Sequence, residues 1–385
     1  MAEPALIMVA GLAGAVGSTL AAGLSMPPEE IAGFGVATES PLVRASGCRL
    51  LPFSSMSIHG WDMNQDTLYA SCKRHRICPP EVLSKAKQRL QRIKPRKGIE
   101  LQRESIGDWI RREAAHLNRK RRREDWRHVI LVNLCPTEPV PKQDADERID
   151  WRNLDELELG ASYSVSQIYF RLAIEARAHF INFTPNPAEI TPLRELAEEK
   201  GLIYAGRDGK TGQTFIKTTL APAFRDKNLR IDGWFSTNLL GNDDGLSLSK
   251  PGAGETKIIS KSKCLSSILG YVPGGAHGTG HQVHIHYYPP RGDSKEAWDN
   301  IDFRGFLGVP MQLKINWLGQ DSILAAPAII DLVRVVAYAA EAGCHGSLDA
   351  ASYFFKDPIV GEGASCEHSV PEQFRKLIEF LTLQR

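Results

Sequence analysis

The sequence predicts an α/β protein, built as a doubly wound parallel sheet interrupted by a smaller α+β domain. Three observations predict it. Residues 5–10 form a continuous apolar run, as a strand buried on both faces requires, and feed a glycine-rich turn and a small-residue helix. Strand-like apolar runs then alternate with helical stretches as far as residue 206, the pattern of parallel βαβ units. Beyond Thr214 the texture changes: residues 231–235 and 282–288 alternate apolar with polar, as half-exposed strands of a second sheet do. The expected Rossmann-type unit therefore covers residues 1–214 and 324–385. Residues 215–323 form the expected inserted domain.

A chain of 385 residues is long enough for two cores. Its 47 basic and 45 acidic residues nearly cancel, so no nucleic acid or other bulk polyanion is expected as a partner. Seven irregularly spaced cysteines point to reduced thiols and a cytoplasmic protein. The apolar stretch 4–26 has no basic residue before Arg44 and is broken by glycines. It reads as neither signal peptide nor membrane span.

In chain order, Gly11, Gly14 and Gly17, followed by Ser18 and Thr19, make the first strand–turn–helix unit. Glycines there let the backbone approach a pyrophosphate lying on the helix N-terminus. A second strand is expected at 32–38, ending at Glu39. Residues 80–127 read as basic helices, densest at Arg119–Arg123; the solvated end of a helix, balanced by Glu113, Glu124 and Asp125, accounts for that run better than a nucleic-acid patch. A buried strand (128–134), a long helix (154–177), a strand (179–183), a helix (188–200) and a strand (202–206) follow. An apolar helix is expected after Pro327, running through Ala340. His284 and His286 share one strand face, where a structural role outweighs metal ligation, so no metal site is assigned.

Three polar clusters lie between Asp208 and Lys261. Thr211-Gly212-Gln213-Thr214 has the composition of a phosphate cradle ahead of a helix. Gly241-Asn242-Asp243-Asp244-Gly245 is a turn able to bind ligand hydroxyls. Lys257 and Lys261, four apart, share a helical face on which an anion would relieve their repulsion.

In order and spacing these clusters resemble the myo-inositol-1-phosphate synthase (inositol-3-phosphate synthase) family, whose pattern runs G-D-D-x-K-S-G-Q-T, N-H-L-G-N-N-D-G and S-K-E-I-S-K-S. Departures fall at Arg207, Thr211, Leu239, Asp243 and Thr256. The glycine turn matches the family's G-x-G-G-x-N-G-S-T-L at Gly11, Gly14, Gly17, Ser18, Thr19 and Leu20, while Ala13, Ala15 and Val16 depart, keeping the backbone cradle but losing side-chain amides. Further matching blocks are His59-Gly60-Trp61-Asp62, Thr137-Glu138 after Cys135, Thr184-Pro185, Gly292-Asp293-Ser294-Lys295, the run from Asp321-Ser322 to Pro327, and Tyr353–Pro358. An ordinary Rossmann reading would set Glu39 on the adenosine ribose; the resemblance sets Asp62 there.

The resemblance implies NAD as cofactor and the conversion of glucose 6-phosphate to myo-inositol phosphate. In that reaction C5 is oxidised, an enolate at C6 closes on C1, and the ketone is reduced again. By it, Lys257, Lys261, Lys295 and Lys356 surround the substrate, with Lys257 transferring the C5 hydroxyl proton. Asp208, Asn242 and Asp321 orient nicotinamide and lysines, while Thr211, Gly212, Gln213 and Thr214 hold the phosphate. The implied nucleotide contacts are Gly11, Gly14, Ala15, Val16, Gly17, Ser18, Thr19, Asp62, Cys135, Thr137, Thr184, Pro185, Asp208, Asp243, Asp321 and Ser322. A homotetramer is also implied. Two alternatives stay open: a sister cyclase or oxidoreductase acting on another sugar or nucleoside phosphate, and a nucleotide-responsive binding protein.

Overall fold

The computed structural model describes residues 4–138, 149–157, 163–242, 245–246, 264–274, 280–361 and 363–383. Six strands come first: β1 (Ala5–Ala10), β2 (Met56–Asp62), β3 (Arg96–Lys97), β4 (His128–Asn133), β5 (His179–Asn182) and β6 (Ile203–Gly206). The chain then builds β7 (Arg230–Leu240), β8 (His281–Tyr287), β9 (Ser294–Arg304) and β10 (Pro310–Gln320), and returns through β11 (Gly346–Ser347). The first sheet is parallel throughout, in the order β11-β6-β5-β4-β1-β2-β3. The strand order reverses beside β1, so a crevice opens between β1 and β4, where doubly wound sheets bind ligands. The second sheet, β10-β9-β7-β8, is mixed, as the alternating runs required.

β1 is buried along its whole length and divides its side chains between two cores. Ile7 and Val9 face the helices Ala15–Gly23, Leu68–His75, Pro80–Arg92, Asp321–Glu341 and Val370–Leu383. Leu6 and Met8 face the helices Ile106–Glu124, Val165–Glu175 and Thr191–Glu199. Helix Asp321–Glu341 has the length and hydropathy of a membrane span, but 72% of its apolar window is buried against this sheet, so it serves as a core helix.

Two expectations need correcting. Residues 32–38 are not a strand: Phe34 is 97% exposed and Gly35 takes a φ of +82°. The Ala37 and Thr38 amides donate to Asp331 at 2.8 Å each, so they are unavailable to a ladder. The second strand is Met56–Asp62. Glu39 instead pairs with Arg334 (2.6 Å) and Arg44 (2.9 Å). The helix expected over 154–177 begins only at Val165. Ser164 and Gln167 form a capping box there, and the Glu138 carboxylate accepts the Val165 and Ser166 amides at 2.8 and 3.1 Å, which fixes the start.

Candidate functional site

The glycine turn sits at the mouth of the β1–β4 crevice. Gly11 has a φ of +87°, and a Cβ there would lie 2.7 Å from the Leu134 carbonyl oxygen. At Gly17 a Cβ would meet the Leu12 and Gly11 oxygens at 2.6 and 2.8 Å, so only glycine lets the helix start this close to the strand. No side chain caps helix Ala15–Gly23, which leaves its first amides available to an anion. In front lies a cleft of about 810 Å³, within the range of small-molecule and cofactor sites.

Most of the residues assigned to the nucleotide line this cleft: Gly11, Gly14, Ala15, Val16, Gly17, Asp62, Cys135, Thr137, Thr184, Pro185, Asp208, Asp321 and Ser322. Ser18 and Thr19 are buried behind it, the Ser18 hydroxyl donating to the Ala15 carbonyl at 3.2 Å. Asp62 organises the loop: its two oxygens accept the Ala13 amide at 2.8 Å and the Asn64 amide at 2.9 Å.

On the opposite wall stand two cation–carboxylate pairs: Lys356 with Asp208, both from the first unit, and Lys295 of β9 with Asp321 at the start of helix Asp321–Glu341. Lys356 Nζ lies 2.6 Å from Asp208 Oδ1, with both side chains more than nine-tenths buried. Asp208 reaches this place in the left-handed region, at φ 60°, held by its amide on the Thr184 carbonyl (2.9 Å). Lys295 Nζ lies 3.2 Å from Asp321 Oδ1, and the Thr211 hydroxyl donates to the same oxygen at 2.9 Å. The Asp293 carboxylate accepts the Ser322 amide and hydroxyl at 3.0 and 2.7 Å, pinning the start of helix Asp321–Glu341 beside Lys295; burial raises its pKa. Asn242 lines the cleft, its Oδ1 accepting the Gly245 amide at 3.0 Å. Lys257, Lys261 and Asp243 lie outside the described residues.

The phosphate-cradle residues divide. Thr211 lines the cleft, and Gly212 packs against the Lys295 side chain, where a Cβ would come within 3.6 Å of its Cδ. Gln213 is buried: its amide donates to both Asp299 oxygens (3.2 and 3.1 Å) and its Oε1 accepts from Asn238 (2.7 Å). Thr214 is buried as well, so neither side chain is among those lining the cleft.

Sequence reasoning missed several groups. Arg74, His75 and Tyr169 line the cleft. Lys210 is buried with its Nζ on Gln373 Oε1 (2.5 Å), and burial lowers its pKa to about 7. Lys217 is buried 2.7 Å from His281 Nε2 and 5.3 Å from the Trp234 ring centroid, its pKa also lowered by burial. No local signal separates these lysines from solvated ones, because their partners come from distant segments.

Two remaining motifs resolve simply. In the basic run, Lys120 and Arg123 pair with Glu124 (2.9 and 2.6 Å), and Arg121 donates to the Arg177 carbonyl (3.1 Å). Glu113 instead sits buried on Arg96 and Trp61. His284 and His286 stack 6.3 Å apart next to Phe235, and among the described residues no group of three or more His, Cys, Asp or Glu side chains is placed to hold a metal.

Glu189, behind the cleft at β5 and β6, yields a pH prediction. It accepts from Asn182 Nδ2 at 3.1 Å, and burial raises its pKa to about 7. A raised carboxyl favours folding while protonated, and that contribution is lost as pH climbs from the unfolded value of about 4.3 through 7. Glu189→Gln removes the titration. Relative to the parent, the variant is expected to gain roughly 2–3 kcal/mol between pH 5 and pH 8 in urea unfolding. An equal difference at the two pH values would refute the assignment.

A family model described as myo-inositol-1-phosphate synthase matches residues 212–322. Inositol-3-phosphate synthase 1 of Bacteroides thetaiotaomicron is 31% identical over 97% of this chain and 94% of its own length. The inositol-3-phosphate synthase of Saccharomyces cerevisiae is 28% identical, with coverage of 88% and 68%. In fold, the crystal structure of an inositol-3-phosphate synthase from Caenorhabditis elegans superposes with a TM-score of 0.88 at 22% identity, covering 100% of this chain and 86% of that one. A myo-inositol-1-phosphate synthase-related protein from Thermotoga maritima gives 0.73 at 22% identity, with 99% of each chain covered. The near full-length match at 31% identity, together with the shared fold, places the chain in one family: it belongs to the inositol-3-phosphate synthases.

Proposed function

We propose that the protein is an NAD-dependent inositol-3-phosphate synthase that converts glucose 6-phosphate to myo-inositol phosphate. The observation that carries this reading is the pairing of Lys356 with Asp208 and of Lys295 with Asp321 in a cleft whose other wall is the glycine turn. The turn suits a dinucleotide, since Gly11 and Gly17 stand where any Cβ would strike backbone and the helix amides behind them are uncapped. When bound, NAD would supply a reversible oxidant at the C5 carbon.

The chain's own residues do the rest. Removing a C6 proton and closing the ring on C1 both place negative charge on substrate oxygens. Fixed ammonium groups in a secluded pocket stabilise such charge without reorganisation. Asp321 holds the Lys295 ammonium and the Thr211 hydroxyl at a single oxygen, and Asp208 holds Lys356, so both cations are oriented before substrate arrives. Lys257 takes the C5 hydroxyl proton and Lys261 shares the oxyanions with Lys295. The phosphate rests on Thr211 and on the main-chain amides at the start of helix Gln213–Asp226, the Gln213 side chain being occupied by Asp299. Residues 1–214 with 324–385 form the nucleotide unit and 215–323 the catalytic and assembly unit. β10, exposed from Pro310 to Lys314 and then on one face, with Met311 and Leu318 among its exposed apolar side chains, suits assembly into a cytoplasmic homotetramer.

Incubation with glucose 6-phosphate and NAD, followed by identification of the product by NMR, tests the reading. Inositol phosphate is expected, with NAD used catalytically. Stoichiometric growth of the reduced-nicotinamide absorbance would mark an ordinary dehydrogenase instead, and no turnover of glucose 6-phosphate would favour another sugar or nucleoside phosphate.

A further inference from the structure

The glycine turn of this chain lacks side-chain amides at Ala13, Ala15 and Val16, yet one of its residues, Ala13, is held through both its backbone amide and its carbonyl. The Ala13 amide donates to Asp62, and the Ala13 carbonyl accepts from Arg74 Nη2 at 3.1 Å and lies 3.0 Å from His75 Nε2. Arg74 and His75 close helix Leu68–His75, which follows β2 directly, and both line the cleft together with Asp62 and Asn64. This is the β2 end of the crevice, where a dinucleotide places its adenosine ribose.

Two features set the electrostatics there. Both Asp62 oxygens already accept main-chain amides, so the carboxylate is committed to shaping the loop, while its remaining lone pairs still suit a ribose hydroxyl. The Arg74 guanidinium spends one nitrogen on Ala13, and its only described carboxylate is Asp66, 3.5 Å away, with 42% and 60% of the two side chains exposed. So loose and exposed an ion pair is worth little and yields readily to a better anion. Arg presents several donors in a rigid fork that matches phosphate geometry.

We propose that Arg74 reads the 2′ position of the adenosine ribose and lets this cleft accept NADP as well as NAD. The inference rests on the dinucleotide reading of the cleft. A 2′-hydroxyl is served by Asp62, and a 2′-phosphate is met by the Arg74 donors. Arg74 is then a specificity-determining residue in addition to propping the turn.

Calorimetric titration of the intact protein with NAD and with NADP tests it, with thermal unfolding to show that each variant is folded. The parent is expected to bind the two within about tenfold of each other. Loss of a charged hydrogen-bonding contact should weaken NADP about 10- to 100-fold in Arg74→Ala while NAD changes by less than about threefold. Arg74→Lys, which keeps the charge, should fall between. NADP binding more than about 100-fold weaker than NAD in the parent would overturn the proposal. So would an Arg74→Ala variant in which both cofactors weaken alike, because that marks Arg74 as a prop for Ala13 only. Binding of neither cofactor by the parent would instead bring down the dinucleotide reading itself.

Discussion

Lys295→Ala and Lys356→Ala are each expected to cut turnover by on the order of 100- to 1000-fold while leaving NAD affinity nearly intact, the usual loss when one preorganised charge contact to a transition state is removed. The charge assigned to these ammonium groups develops on substrate oxygens after oxidation. The effect therefore falls on turnover, and dinucleotide affinity, which rests chiefly on the glycine turn across the cleft, is largely spared. Asp321 also holds the Thr211 hydroxyl, so deleting Lys295 leaves Asp321 partly satisfied and the fold intact. Deleting Lys356 leaves the buried Asp208 without that cation, which adds a stability loss of about 3–5 kcal/mol. Lys257→Ala and Lys261→Ala belong to the same series, and losses in the multiple variants should fall short of additivity because all four act on one anionic system. Steady-state kinetics with calorimetry of NAD binding measure both quantities. Arg121→Ala and Arg122→Ala, in the distant basic run, should change turnover less than about twofold. If those arginine changes abolish activity and the lysine changes do not, the assignment falls.

Gly17→Ala is expected to raise the dissociation constant for NAD about 100-fold or more. A single methyl at residue 17 would stand 2.6 Å from the Leu12 oxygen and 2.8 Å from the Gly11 oxygen. Both are main-chain atoms in the turn, so no side chain can swing aside. The helix must back away from the loop, carrying off the uncapped amides that would face the pyrophosphate. At about 1.4 kcal/mol per decade, the displacement costs roughly 2.7 kcal/mol of binding. Turnover should fall with the affinity and recover only in part at saturating NAD. A Gly17→Ala protein that binds NAD within about threefold of the parent would show that the turn is not a nucleotide cradle.

Much of this site was legible because its parts are local. The β1–turn–helix unit needs only residues 5–23, and the clusters between Asp208 and Lys261 announced themselves by polar residues too dense for a core, whereas Lys295 and Asp321 were reached only through the family resemblance. Other parts depend on partners the local pattern does not show. Residues 32–38 have the apolar character of a strand, and their amides are taken by Asp331, some 293 positions away. Gln213 reads as a phosphate ligand until Asp299, 86 positions on, claims its amide. Arg74 and Lys210 look like any surface cations; folding alone brings one to Ala13 and the other to Gln373.

Helix Asp321–Glu341 has a consequence for how the chain is made. It packs on helix Ala15–Gly23 and lays Ile329, Leu332 and Val333 over the same face of the sheet as Ile7 and Val9, while its Asp331 and Arg334 fasten Thr38. The strands it roofs are synthesised by Gly206, and its own last residue is Glu341. At about 5–20 residues per second, roughly 7 to 27 s separate the two during translation. Through that interval the emerging sheet leaves bare the part of this face that helix Asp321–Glu341 later covers, a substrate for chaperones. A ribosome that stops short of Glu341 releases an unroofed, aggregation-prone half rather than a small nucleotide-binding protein.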